Sequence, residues 1–526
     1  MSALIKFSEL APEFKLLRPV RSSPRPHIIH TDPLSIKRIG HIIAALKRNS
    51  DYVALDIETT GLDPRTDRIV GIGLSGPKDT LYIDMTVQDE KATKYLYKQL
   101  QQLPLIAHNI MFDGYWLYTL TGVHWNWKFD TFGLFKHLAS EGFIGQSWKL
   151  KDAQVNLLGW SEKGDVELDA WLCDNGYIKG NQKDKPDKGQ MWRAPAEILG
   201  KYCALDADST YQLFSKVFVP LLKNFAGYHR YHVEDYITLI NLLIEQRERG
   251  MLMDLDQTRL AKQRLETTIQ EKREEFLDHW LIKKHILTFK QDAMAAAYKG
   301  KDAPARYKKD GNVSKNWINY CNRVVKTYHD TTINVDSGPQ LRKLFYNLMY
   351  KPKKNVDRRG RITYTVRGVT LDATAGGLTP IDEVALKWLG EPGRILSKYK
   401  EATKLLSFLD KYVELLDGAH LLRPGWRTPG TLTGRLSGAD PNFQQVPKRA
   451  EVLDCFPARP GYKLVGADFS SLENVVLAEL SRDKSLLKLY GPTAKTNCGY
   501  LFFGSQLPVI GPKIRAAGYD PDNPTA

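Results

Sequence analysis

Apolar and polar positions along the chain follow two rhythms, short runs of strand length and longer stretches at helical spacing. HIIH at residues 27–30 predicts a short edge strand, and VALDIET, beginning at Val53, predicts a second. IVGIGLSG and TLYIDM follow as an antiparallel meander with turn residues between them. Residues 105–107 predict a further strand. Helical spacing covers residues 34–47, then 235–249 with Gly250 as a C-cap. The charged stretch from MLMDLDQTRL through EKREEF reads as a long, largely exposed helix. INVDSGPQLRKLF carries an N-capped helix start, and residues 395–416 predict another long amphipathic helix. GNQKDKPDKGQ reads as a loop, and KPKKNVDRRGRITYTVRG as a basic insert punctuated by turns. The Gly71-Ile72-Gly73 triplet is too short for a dinucleotide fingerprint and fits strand packing better.

Three polar clusters interrupt this pattern. Asp56 and Glu58 follow an apolar run at a spacing of two, so a strand puts both on one face. Thr59, Thr60 and Gly61 then break the strand, which leaves the acids near its C-terminal end, where open α/β sheets place ligands. Two buried anions side by side need a cation; two solvated acids on an exposed strand are the equally open alternative. In PLIAHNIMFDGYWL, Asn109 and Asp113 are placed in the helix after strand 105–107, four apart and on one face, although N-caps look similar. In KYCALDADSTYQLF, Tyr202 and Asp206 again share a helix face, while Asp208 falls on another and reads as a surface acid.

Composition narrows the partners. The 526 residues carry a formal charge of +15, which favours a polyanion, nucleic acid above all. Residues 283–330 are rich in Lys and Arg with scattered Tyr and Trp, and read either as a DNA-backbone surface or as solvated loops. Cys173, Cys203, Cys321, Cys455 and Cys498 form no CxxC pair, which argues against zinc and disulfides and suits a reducing compartment. The N-terminus lacks a signal-peptide core and no run is long enough to span a membrane, so a cytoplasmic protein is expected. Trp148, Trp160, Trp171 and Trp192 could stack on single-stranded bases, but core or loop anchoring is the preferred reading for most of them.

Taken together, DxE, NxxxD and YxxxD in this order resemble the tyrosine subclass of DEDD-type 3′→5′ exonucleases, with their ribonuclease-H-like fold. The resemblance implies two Mg²⁺ (or Mn²⁺) ions held by Asp56, Glu58, Asp113 and Asp206, hard oxygen ligands suited to such cations. It also implies that Tyr202 orients the attacking water, that Asn109 positions the site or the DNA end, and that Leu62 presses on the terminal base.

The helices beginning at ERGMLMD and INVDSGPQL resemble the thumb of family A DNA polymerases, and TLTGRLSGADPNFQQVP resembles their primer–template segment. Matching positions imply that Arg435, Asn442, Gln444 and Gln445 contact the nucleic acid; a plain Gly/Pro surface loop is the competing reading. KLVGADFSSLENVVLAEL then resembles the first palm motif, with a strand at residues 464–467, Asp468 as a metal ligand at its end, and Glu473 at the sugar of the incoming nucleotide. Asn474-Val475 stands where the family usually has an Arg. The expected architecture is an α/β ribonuclease-H-like exonuclease domain (25–222) after an N-terminal arm (1–24). A mostly helical thumb (223–420), a partial α+β palm (421–490) and the start of fingers (491–526) follow. No fingers helix and no second palm carboxylate follow Asp468, so the expectation is the N-terminal part of a phage-type proofreading polymerase, split or truncated. Its expected partners are primer–template DNA, a single-stranded 3′ end and a complementary polymerase fragment, with dNTP bound only once that fragment is present. A free-standing exonuclease and a non-enzymatic DNA-holding subunit are the alternatives.

Overall fold

The computed structural model describes residues 20–490 apart from 50, 141–148, 225, 299–302, 310–311, 429, 432–433 and 470. The expected arm up to residue 19, Trp148 and the expected fingers start lie outside the described residues. The chain forms two compact units, one running to Pro457 and one from Ala458.

The first unit opens with a six-stranded mixed sheet in the order β1 (His27–His30), β4 (Thr80–Asp84), β3 (Ile69–Ser75), β2 (Val53–Thr59), β5 (Leu105–Ala107), β6 (Trp127–Asp130). β2, β3 and β4 are antiparallel neighbours, as the meander predicts, while β1, β5 and β6 pair in parallel. The edge position of β1 also matches its sequence. β3 and β4 are buried along their whole length, because helices cover both faces of the sheet centre. Helix α1 (Ile36–Asn49), shifted by two residues from its sequence-based bounds, packs with α2 (Glu90–Leu100) and α3 (Ile110–Thr121) into one core through Ile39, Leu46, Leu96 and Trp116. Helix α4 (Thr131–Ser140) follows β6, and α5 (Leu150–Asn156) and α6 (Val166–Asp174) come next. Helix α7 (Ala196–Gln212) lies across β2, β3 and β4. Small residues permit its close approach. A Cβ on Gly73 of β3 would come within 2.8 Å of the Cys203 carbonyl of α7, and one on Gly200 within 2.6 Å of Tyr82. The GIG triplet is thus a packing device, as its sequence suggested.

Several expectations are corrected. GNQKDKPDKGQ is not a plain loop: β7 (Ile178–Lys179) and β8 (Gln182–Pro186) form a hairpin, with Gly180 at φ +60° supplying the backbone that a two-residue turn needs. Asn109 is not inside a helix; it is the N-cap of α3, in the left-handed region at φ 81°. Asp208 is not a surface acid. It is fully buried and bonded to Arg25, whose guanidinium also reaches Ser75 at 2.6 Å. Residues 20–24, assigned to the arm, are tied down, since Val20 and Ser22 donate backbone hydrogen bonds to Leu157 and Leu158. Trp160 is buried in the core and Trp171 and Trp192 pack at the edge of another cluster, so these three are anchors.

Helix α8 (Ile237–Arg249) ends at Gly250, φ +65°, as predicted. The long helices α9 (Leu255–Asp278) and α12 (Gly390–Glu414) pack along each other through Ala261, Leu265, Ala402, Leu405 and Leu409. Between them lie α10 (Trp280–Tyr298), α11 (Lys315–Asp330) and a three-stranded antiparallel sheet of β10 (Lys353–Val356), β11 (Ile362–Val366) and β12 (Val369–Asp372). The basic insert is therefore ordered into a sheet, with Thr, Tyr and Val supplying its β-formers. β9 (Met251–Leu252) pairs with β13 (Leu421–Leu422), and β14 (Gly425–Arg427) with β15 (Ser437–Ala439).

In the second unit the strand expected at residues 464–467 does not form. The segment takes no regular structure, with Val465 90% exposed, and no described strand pairs with it. An apolar run becomes a strand only when a neighbour takes its backbone groups. The helix expected to hold Glu473 does form, as α13 (Leu472–Ser481), followed by α14 (Lys484–Tyr490).

Candidate exonuclease site and nucleic-acid surfaces

β2 brings Asp56 and Glu58 to one face, the first half-buried and the second 3% exposed. β5 is only three residues long and pairs with β2 no further than Ala54, which frees the Ile57 N–H. Asp113, in the first turn of α3, accepts that N–H at 3.1 Å, which fixes its carboxylate beside the two strand acids. α7 contributes Tyr202 and, one turn later, Asp206. Asp206 accepts from Gln154 at 3.2 Å and from the Lys151 ammonium, both on α5. The Lys151 ammonium also lies 3.9 Å from the centre of the Tyr202 ring, a cation–π contact.

The electrostatics of this cluster are those of anions held together against repulsion. Burial pushes Asp56 and Glu58 well above the usual carboxylate range, and the neighbouring acids push them further. Burial raises Asp113 to about 8 in spite of the Ile57 hydrogen bond. Burial, and then Asp206 and the strand acids, drive the Tyr202 phenol up, so it stays protonated and can donate. Glu58 is almost wholly buried, and the Lys151 and Lys188 ammonium charges offset only part of the repulsion on it. Two buried strand carboxylates side by side fit a cation, and their oxygens suit a hard one; among the described residues Asp113 and Asp206 lie near but do not join the group of ligand atoms already within 4.8 Å of one another.

Sequence reasoning missed the residues that support this cluster. Cys203 places its Sγ 3.5 Å from an Asp56 carboxylate oxygen, and Asp56, Glu58 and Cys203 offer ligand atoms all within 4.8 Å of one another. Asp130 accepts the Asn109 and Phe132 N–H groups at 2.8 and 3.1 Å and the Tyr236 hydroxyl at 3.1 Å. It therefore holds the strained turn that launches α3. Nothing in the local spacing of Asp130 or Lys151 announces these roles, since each partner lies more than twenty residues away or on another element. Leu62 stands 76% exposed in the connection between β2 and β3, and Asn109 makes no side-chain capping bond.

The residues expected to touch primer–template lie around the β14–β15 hairpin of the same compact unit. Arg435 is exposed. Asn442 accepts the Gln444 N–H at 3.0 Å, and Gln444 bonds Gly438 and Leu436, so both side chains shape the loop. Gln445 lines a groove of about 1070 Å³ whose walls carry Lys400, Lys404, Lys411, Lys448 and Arg449. In the second unit Asp468 and Glu473 are both exposed, with Glu473 in the first turn of α13.

Comparison with known proteins bears on both regions. A 3′-5′ exonuclease family model matches residues 39–219, and the model of DNA polymerase family A matches residues 307–495. The chain thus carries a 3′-5′ exonuclease domain followed by a DNA polymerase family A region. It is 24% identical over 485 residues to DNA polymerase I of Synechocystis sp., an alignment covering 89% of this chain and 41% of that protein. It is 22% identical over 447 residues to the DNA polymerase of Escherichia phage T5, covering 83% of this chain and 46% of the relative. The thermostable DNA polymerase I of Thermus filiformis is 33% identical over 193 residues, covering 35% and 22%. The chain thus spans less than half the length of these curated relatives. Among solved structures, the POL domain of Pol1 from M. smegmatis in complex with DNA primer-template and dNTP superposes with a TM-score of 0.56 at 17% identity. That match covers 93% of this chain and 70% of that one, a likeness of fold. Domains of this family generally use divalent metal ions, in keeping with the acid cluster. No described helix is long and apolar enough to cross a membrane.

Proposed function

We propose that the chain removes nucleotides from the 3′ end of DNA at Asp56, Glu58, Asp113, Asp206 and Tyr202, as the proofreading part of a phage-type family A replication polymerase. The observation that carries this reading is the convergence of four acids from β2, α3 and α7 beside a protonated phenol. The four carboxylates would hold two Mg²⁺ or Mn²⁺ ions, which supply charge stabilisation to the attacking and leaving oxygens of the cleaved phosphodiester. Tyr202 donates its hydroxyl proton to orient the water. Leu62, held out on its turn, presses on the terminal base, and Asn109 meets the DNA end with an uncommitted amide. Arg435 and Gln445 engage the primer–template, and Asn442 and Gln444 hold their loop in the shape that allows it.

We also place the exonuclease domain at 25–222, the thumb at 223–420 and the palm from 421. Asp468 and Glu473 are its metal and sugar contacts, and dNTP is its substrate. Tyr462, Leu464, Val465 and Phe469 are each at least 60% exposed, which fits coverage by a further polymerase part bearing the second palm carboxylate. The protein works in the cytoplasm, where its DNA is copied.

The test is degradation of a 3′-labelled single strand by the purified chain with Mg²⁺ or Mn²⁺. Wild type should shorten the strand stepwise from the 3′ end and EDTA should stop it. Asp56→Ala should lose nearly all activity; a fully active Asp56→Ala protein overturns the assignment.

A further inference from the structure

We propose that Lys151 is a built-in counter-cation of the exonuclease site, which a divalent ion must displace from Asp206, so that Lys151 sets how tightly the site holds metal. The inference rests on the reading of Asp56, Glu58, Asp113 and Asp206 as metal ligands.

Three observations carry it. First, the Lys151 ammonium donates to the same Asp206 oxygen that Gln154 contacts, and its side chain is only 16% exposed. Second, its charge also acts on Asp56 and Glu58, so one ammonium partly neutralises three of the four acids. Third, the next cation acts on the site less: Lys188 pairs with Asp165 and Asp169, stands 5.3 Å from the Tyr202 ring, and its charge bears on Glu58 less than that of Lys151 does.

The local build favours exchange. α5 is fixed by Gln154, which bonds Ser209 at 3.0 Å and the Gly164 N–H at 2.8 Å, so the Lys151 backbone has no need to move. Its four-carbon stem is flexible and can withdraw the ammonium on its own. A divalent ion and an ammonium sharing one carboxylate oxygen repel, so the two occupy Asp206 in turn. Metal affinity is then reduced by the fraction of molecules in which Lys151 holds the carboxylate.

The experiment measures Mn²⁺ binding to the full chain by calorimetry, together with melting temperature in EDTA and in Mn²⁺. Lys151→Met keeps the stem against Tyr202 and removes the charge. It should bind Mn²⁺ about tenfold more tightly, as expected if the metal-ready state is about a tenth of the wild-type population. It should also melt lower than wild type in EDTA and gain more on adding Mn²⁺. Lys151→Arg should stay near wild type, and Lys188→Met should shift affinity much less. If wild type binds no Mn²⁺, the metal reading falls and this inference with it. If wild type binds but Lys151→Met binds no more tightly, or Lys188→Met equals it, the counter-cation role alone is overturned.

Discussion

Asn109 concentrates the residue-scale logic of the site. Its backbone stands at φ 81°, a region that costs most L-residues about 1–2 kcal/mol and that Asn tolerates better than most. Asp130 holds it there, and the turn aims Asp113 at β2. Asn109→Gly should therefore keep stability and Mn²⁺ binding while weakening capture of the DNA end, read as a higher KM on single strands. Asn109→Val should destabilise the fold as well, because a branched Cβ fits this backbone badly. A Gly variant that melts far below wild type would show that the amide, not the turn, matters to the fold. Tyr202→Phe removes one hydrogen bond to the water and leaves the ring under Lys151, so the exonuclease rate should fall about tenfold. An unchanged rate would remove Tyr202 from the reaction. These roles were partly legible in the sequence. The spacings DxE and YxxxD put their side chains on shared faces, as the strand and helix bear out, while NxxxD found the right pair but placed Asn109 inside the helix that it caps. Cys203, Asp130 and Lys151 were not legible, because their meaning is a contact between elements far apart in the chain.

At the scale of elements, strand runs and amphipathic helices were readable wherever local pattern and tertiary partner agree. They failed where the partner decides. Residues 464–467 have a strand's composition and no neighbouring strand among the described residues, while GNQKDKPDKGQ has a loop's composition and becomes a hairpin. The helical segment from Tyr231 to Tyr236 shows what pattern cannot reveal. It buries His232 and Tyr236 against His137 of α4, with Tyr236 reaching both Asp130 at 3.1 Å and the Thr428 carbonyl at 2.7 Å. One side chain thus joins the exonuclease sheet to the segment leading into the Arg435 hairpin. Burial pushes His137 down to about 4, and His232 lies well below its ordinary value for the same reason. Both are neutral in the fold and take up protons more readily when unfolded. Their contribution is complete above about pH 6.5 and is lost as pH falls through the folded value, about 3 kcal/mol for His137. Asp130, raised to about 6 by burial, acts with the opposite sign, losing its contribution as pH rises from about 4 to 6. The wild-type profile mixes the two, so the informative quantity is a difference. His137→Phe keeps the ring packing, and wild type minus variant stability, from urea melts, should fall by about 3 kcal/mol between pH 7 and pH 4. A constant difference would mean that His137 is not held neutral.

For the whole molecule, net charge was the first legible property and its placement the last. The excess of +15 says only that a polyanion is welcome. The fold gathers part of it into the groove between α12 and the 442–449 loop, where Lys400, Lys404, Lys411, Lys448 and Arg449 face one another. Two of these cations are already engaged, Lys411 with Asp440 at 3.2 Å and Arg449 with Glu401. Lys404 and Lys448 have no ion pair among the described residues, which makes them the cations with most to gain from phosphate. Each phosphate neutralised releases condensed counterions, so log K for duplex binding should fall linearly with log salt, by about 0.9 per contact. Lys404→Gln and Lys448→Gln should each weaken primer–template binding in low salt and reduce that slope by about one. The effect should be the same for unrelated sequences, because a phosphate contact carries no base information. The same substitutions should leave degradation of a short single strand unchanged, since neither residue belongs to the acid cluster on β2, α3 and α7. Fluorescence anisotropy of a labelled primer–template across a salt series reads all of this at once. A slope identical to wild type in both variants would move the DNA track off this groove. The basic surfaces of α10, α11 and the β10–β12 sheet would then be the next candidates.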